Sequence, residues 1–195
     1  MTFSTNYDVC WTTTGNPAAA LVGLGGMGKT QIALEYCYRN FPSKYQYVFW
    51  ILAESKQALD ISFAKVARLL EIPVEDKEEP ALRISLIKQW FENAKQRWLL
   101  VFDNADDDLD IDYIPSLGNG DVIFTSRNSI TDYNASTINL DVMKMGMDSA
   151  LSLLLRTEDV LNSGENAESR AIIKELDHLP LAIDLAGAYT CRRFR

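Results

Sequence analysis

Gly23-Leu24-Gly25-Gly26-Met27-Gly28-Lys29-Thr30 satisfies the pattern G-x-x-x-x-G-K-[ST], and the flanking residues supply the setting that this pattern needs. Ala18 to Val22, just ahead, is a short apolar run suited to a buried strand. Ile32, Ala33, Tyr36 and Cys37, just behind, fall at helical spacing. Strand, glycine loop and helix in that order make a phosphate cradle. The glycines let backbone N–H groups turn inward, Lys29 neutralises β/γ-phosphate charge, Thr30 presents a hydroxyl to Mg²⁺, and the helix start adds its positive dipole end. The nucleotide-contacting set is therefore Gly23, Gly25, Gly26, Met27, Gly28, Lys29, Thr30 and Gln31. The same stretch also fits G-x-G-x-x-G through Gly23, Gly25 and Gly28, with Glu54 as a ribose-binding acid, so a dinucleotide-binding turn is the competing reading. Lys29 and Thr30 have no task in such a turn, and they favour a triphosphate.

A chain of 195 residues holds one full α/β domain plus a small addition. The formal net charge of −8 leaves no basic stripe to neutralise a phosphate backbone, which excludes general nucleic-acid binding. No apolar run approaches the roughly 18 residues of a membrane span, and the first residues lack a basic-then-apolar leader. Cys10, Cys37 and Cys191 are few, odd in number and widely spaced, which suits a reducing compartment; the expected location is cytoplasmic, and there the Asn134-Ala135-Ser136 sequon carries no meaning. With one histidine and no CxxC, a structural zinc site is not supported.

Along the chain, Tyr47 to Ile51 reads as a buried strand, and Ser55 caps a helix whose Leu59, Phe63, Val66 and Leu70 form one stripe. A charged linker at 75–79 precedes Pro80, which opens a helix carrying Leu82, Leu86, Ile87, Trp90 and Ala94. Strands follow at Trp98 to Phe102 and, after the Gly118-Asn119-Gly120 turn, at Val122 to Thr125, with a fifth expected at Thr137 to Val142. Alternating strands and helices imply a parallel sheet covered on both faces, with ligands at the carboxyl ends of the strands. From about Met143 the pattern is helical only: Leu151, Leu154 and Leu155 share a face, as do Ile172, Ile173 and Leu176, and Leu181 to Tyr189 is nearly all apolar. This divides the chain into an N-terminal segment at 1–16, an α/β domain at 17–143 and a helical addition at 144–195.

The apolar strand ending in Asp103 has the form of a metal-anchoring Walker B element, so Thr30 and Asp103 are the expected Mg²⁺ ligands. Asp103, Asp106, Asp107, Asp108, Asp110 and Asp112 crowd one loop; a solvated turn accounts for all but Asp103 and Asp106. Arg127, after Thr125-Ser126, would emerge beside the γ-phosphate if its strand lies between the two Walker strands.

Gly23 to Thr30, the Tyr47 to Ile51 strand, Leu99 to Asp106, Phe124-Thr125-Ser126-Arg127-Asn128 and Leu179-Pro180-Leu181-Ala182 occur in the order and approximate spacing of the NB-ARC family. These are the signal-transducing STAND P-loop NTPases of apoptotic and NOD-like immune receptors. The wording from Gly26 to Tyr36 looks most like the fungal branch. The resemblance runs from about Ala18 to Tyr189. It implies a five-stranded sheet of order 5-1-4-3-2, a first helical subdomain containing Pro180 near the adenine, and a molecular switch in which ADP holds a closed form and exchange to ATP leads to oligomerisation. Nucleotide and further copies of the chain are the implied partners.

The sequence departs from the family at several points. Asn104 stands where many members carry a second acid, which leaves Asp106 as the candidate general base. His178 replaces the usual glycine before Leu-Pro-Leu. The Phe-Val-Gly-Arg-like segment is missing from Met1 to Asn16, and a winged helix is not represented, so the resemblance implies a core that stops after the first helical subdomain. Asp103, Asp106 and Arg127 form the expected catalytic set, and any ATP hydrolysis is expected to be slow. A small-molecule kinase and a non-switching pseudo-NTPase are the alternatives; the kinase would need a lid that Arg156 to Arg170 does not supply.

Overall fold

In the computed structural model, residues 17–73, 80–106, 109, 111–116, 118–128, 135–141, 144–157 and 167–193 are described. Cys10, the linker at 75–79, Asp107, Asp108, Asp110, the Asn134 sequon, Val142 and the boundary at Met143 lie outside them. The chain folds as two compact units.

The α/β unit takes in the described residues up to Gly23 and Lys29–Ile138. Its strands are β1 (Ala18–Val22), β2 (Tyr47–Leu52), β3 (Trp98–Asp103), β4 (Gly120–Ser126) and β5 (Ser136–Asn139), the last ending at the unit boundary. The helices are α1 (Lys29–Asn40), α2 (Lys56–Leu69) and α3 (Pro80–Asn93). Sheet order is β2-β3-β4-β1-β5, the expected 5-1-4-3-2 read from the other edge, and β2/β3, β3/β4 and β1/β4 pair in parallel. The fifth strand begins one residue earlier than expected and stops at Asn139.

Side-chain alternation along β3 sorts the core into two layers. Trp98, Leu100 and Phe102 face the layer that α2 and α3 supply with Phe63, Val66, Ile87 and Phe91; Leu99 and Val101 face Ala33 and Cys37 of α1. Both sheet faces are therefore buried, which is why the strands read as unbroken apolar runs. Ser55 caps α2 as expected, accepting from the Ala58 N–H at 3.2 Å. On α3 the buried stripe is Ile84, Ile87 and Phe91, whereas Leu82, expected in it, is exposed. Trp98 lies over Gly120, and a Cβ there would meet the indole at 2.0 Å, so the start of β4 has room only for glycine.

The helical unit comprises Leu24–Gly28 and the described part of Asn139–Arg195. It contains α4 (Met147–Leu155), α5 (Ala167–Glu175) and α6 (Pro180–Arg193). Ala150, Leu151, Leu154, Ile173 and Ile183 form its core. Ile172 and, on α6, Leu181, Leu185 and Tyr189 are exposed, so the long apolar run of α6 is not buried throughout.

Candidate functional site

The two Walker elements meet at the carboxyl end of the sheet. Asp103 closes β3 and is buried. Thr30, in the first turn of α1, donates its hydroxyl to Asp103 Oδ1 at 2.8 Å. Thr125, on the neighbouring β4, donates to the same oxygen at 2.6 Å and accepts from the Asn104 N–H at 2.9 Å. Because the Thr30 proton points at the carboxylate, its oxygen lone pairs point elsewhere, as a metal ligand requires. A carboxylate and a hydroxyl are the hard oxygen donors that Mg²⁺ takes alongside waters and phosphates. Among the described residues no cluster of three or more histidine, cysteine or acidic side chains offers an all-protein metal cage.

Lys29 opens α1, is buried, and donates through Nζ to the Gly23 carbonyl at 2.7 Å. The Gly23 N–H donates to the Ser126 carbonyl at 3.2 Å, joining the loop's first residue to the end of β4. Ser126 and Thr125 are both fully buried.

Past the strand ends, Asp106 and Arg127 pair with each other. The Arg127 backbone N–H donates to Oδ1 and its Nε to Oδ2, each at 2.6 Å. Partial burial pushes the Asp106 carboxyl up; the Arg127 N–H, guanidinium hydrogen bond and charge, with help from Ser126, outweigh this and hold it below the usual aspartate value. Asn104 adopts a left-handed backbone, φ +60°, with its side chain exposed; asparagine is among the residues that tolerate this region.

Within the helical unit, the segment Leu24–Gly28 has φ of +82° at Gly26 and +88° at Gly28, a region that residues with a Cβ seldom enter. The Leu24 N–H donates to Asp141 Oδ1 at 2.8 Å, and the Leu181 N–H donates to the Gly26 carbonyl at 3.2 Å. Pro180 is the first residue of α6, where a missing N–H costs nothing. His178 sits at φ +59°, which explains why glycine is usual there; its ring Nδ1–H donates to the Met145 carbonyl at 2.8 Å.

The structure thus brings together Lys29, Thr30 and Asp103, and separately Asp106 and Arg127. Gly25 and Met27 keep their place in the loop, and Gln31 lies in the first turn of α1. Sequence reasoning quoted Thr125 but gave it no task; its position opposite Asp103, one step beyond the Phe102–Phe124 pair, was the available signal. Asp141 was missed altogether.

Two solved structures share the fold. Cdc6p from Pyrobaculum aerophilum superposes with a TM-score of 0.58 at 17% identity, over 92% of this chain and 57% of its own. A Signal Transduction ATPase with Numerous Domains (STAND) protein with a tetratricopeptide repeat sensor, from Pyrococcus horikoshii, gives 0.54 at 19% identity, over 92% and 30%. In sequence, the chain is 30% identical over 87% of its length to a nucleotide-binding leucine-rich repeat (NLR)-like protein of Hyaloscypha variabilis. The chain has the fold of the P-loop NTPases and is homologous to an NLR-like protein. No family model matches it. The chain spans 19% of the length of this NLR-like relative. Among the described residues no helix is long and apolar enough to cross a membrane.

Proposed function

We propose that the chain is the nucleotide-binding switch core of an NLR-like signalling protein, taking ADP and ATP with Mg²⁺. The arrangement of Thr30, Asp103 and Thr125 around one carboxylate oxygen supports this most strongly. When bound, Mg²⁺ would be held by Thr30 and, directly or through water, by Asp103, and would neutralise charge on the β- and γ-phosphates. Lys29, which now donates to the Gly23 carbonyl, would donate to the same phosphates. The backbone N–H groups of Gly25 to Thr30 would line the phosphate chain. Pro180 begins the helix whose second residue bonds Gly26, which supports the expectation that it covers the base. Arg127 would read the γ-phosphate.

Hydrolysis in this reading is slow. Asn104 cannot accept a proton, and both oxygens of Asp106 already accept from Arg127. A long-lived nucleotide state suits a switch acting in innate immunity or programmed cell death, with assembly of several copies following exchange. The kinase alternative gains no support from Arg156, which is engaged by Asp184 at 2.9 Å within the helical unit.

Thermal unfolding tests the reading. Mg²⁺ with ADP or ATP should raise the melting temperature, Lys29→Ala should remove the rise, and NAD should give none. A rise with NAD that survives Lys29→Ala would return the dinucleotide alternative to first place.

A further inference from the structure

Asp106 lies three residues beyond β3 and Arg127 one residue beyond β4, and one carboxylate engages both the main chain and the side chain of the same arginine. Two further bonds join the two segments and a third stiffens the one after β4. Ser126 Oγ donates to Asp106 Oδ1 at 3.4 Å, Asn128 Nδ2 donates to the Asp106 carbonyl at 2.7 Å, and the Asn128 N–H donates to Ser126 Oγ at 3.0 Å. Asp106 is mostly buried, with its side chain 19% exposed, whereas that of Arg127 is 66% exposed. The anchor is thus the sheltered partner and the guanidinium the presented one. Asp106 holds the arginine by Nε, which leaves both Nη groups for another acceptor. A guanidinium gripped at Nε can turn only about that contact, and its Nη pair is the fork that matches two phosphate oxygens.

We propose that Asp106 is a positioning residue: it fixes the Arg127 guanidinium so that its Nη groups meet the γ-phosphate, and it thereby sets the preference for ATP over ADP. This rests on the reading of Arg127 as the γ-phosphate contact and gives Asp106 a task other than general base. Both carboxylate oxygens here accept from Arg127, and the ion pair makes the carboxylate a weaker base. The carboxyl's lowered proton affinity points the same way.

A double-mutant cycle on the full chain decides the matter. Dissociation constants for Mg²⁺-ADP and for a Mg²⁺-bound non-hydrolysable ATP analogue would be measured by calorimetry for the wild type, Asp106→Ala, Asp106→Asn, Arg127→Ala and Asp106→Ala with Arg127→Ala. Arg127→Ala should lower the affinity for the analogue relative to ADP. Asp106→Ala should reproduce about three- to tenfold of that loss with ADP affinity nearly unchanged, and should add nothing in the Arg127→Ala background. Asp106→Asn, which is isosteric and keeps one acceptor oxygen but neither the second acceptor nor the charge, should fall between and guards against a folding defect in the alanine variant. If Arg127→Ala shifts the ratio but neither Asp106 variant does, or if Asp106→Ala acts equally without Arg127, the positioning role is wrong while the γ-phosphate reading stands. If Arg127→Ala leaves the ratio untouched, both are wrong.

Discussion

Asp103 and Asp121 are both buried carboxylates of one parallel sheet, at opposite ends of it, and they are surrounded in opposite ways. Asp121, the second residue of β4, pairs in register with Leu99 near the amino end of β3. It accepts from Arg97 Nη2 at 2.9 Å on both oxygens, from the Tyr45 hydroxyl, and lies 3.1 Å from Lys44 Nζ. Lys44 also stands over the Tyr45 ring at 4.8 Å and donates to the Tyr36 hydroxyl. Burial and the Asp121 hydrogen bond drive the Tyr45 hydroxyl's pKa far up, so it stays a donor at any working pH. Among the described residues, the Asp103 side chain accepts from two hydroxyls, those of Thr30 and Thr125. A buried carboxylate met by two cations is completed by the protein. One met by hydroxyls is, in the proposed function, arranged to receive a cation from outside, and this would separate the end that holds the fold from the end that binds nucleotide.

Removing Asp121 should therefore be the most damaging change to the fold. Asp121→Ala leaves the Tyr45 hydroxyl without its acceptor and Arg97 and Lys44 without their shared anion, and should cost about 3 kcal/mol of stability, read by urea unfolding. A loss below about 1 kcal/mol would mean that solvent replaces the network and that Asp121 is no keystone.

Asp103→Ala should behave inversely. Its global stability should fall by less than that of Asp121→Ala, by about 1 kcal/mol, because it strands a buried Thr125 hydroxyl but leaves no cation without its anion. What disappears is the Mg²⁺-dependent part of nucleotide stabilisation, worth up to about 2.7 kcal/mol at a hundredfold excess over the dissociation constant. Equal ligand-induced shifts with Mg²⁺ and with a chelator, in both wild type and variant, would show that Asp103 does not hold the metal.

The smallest expected effect concerns the third carboxylate, Asp106. Its folded-state pKa is lowered, so its pairing with Arg127 contributes stability that is fully present above the unfolded aspartate value near about 3.9 and is lost as pH falls through the folded value. Between pH 7 and 5 the melting-temperature difference between wild type and Arg127→Ala should stay flat, narrowing only in stronger acid. A narrowing already at pH 6 would point to a different titrating group.

The carboxyl edge was legible in sequence because a phosphate cradle needs particular residue types at fixed spacing: Lys29, Thr30 and Asp103 could be named before any fold was known, and the strand order followed from the NB-ARC resemblance. The amino edge was not legible. Lys44, Tyr45, Arg97 and Asp121 come together only through strand pairing, and each alone looks like an ordinary loop or strand-end residue; a lone carboxylate inside the apolar run Gly120–Ser126 was the one hint. The exposure of Leu82, Leu181, Leu185 and Tyr189 was missed for a related reason: apolar content marks a helix but does not say which side meets a partner. Asp106 stands out in its acidic loop only as a candidate base; its pairing with Arg127, 21 residues away along the chain, is beyond what local pattern can join.

Trp98 gives this two-edged sheet a built-in optical gauge. Its indole is wholly buried, rests on Gly120, and donates its N–H to the Phe91 carbonyl at 2.9 Å, so its emission reports a dry, fixed environment at the amino edge. With the chain's other three tryptophans replaced, ligand at the carboxyl end should leave that emission unchanged, whereas loss of the Asp121 network should open the indole to water. The two kinds of event are therefore separable in light, without any added label.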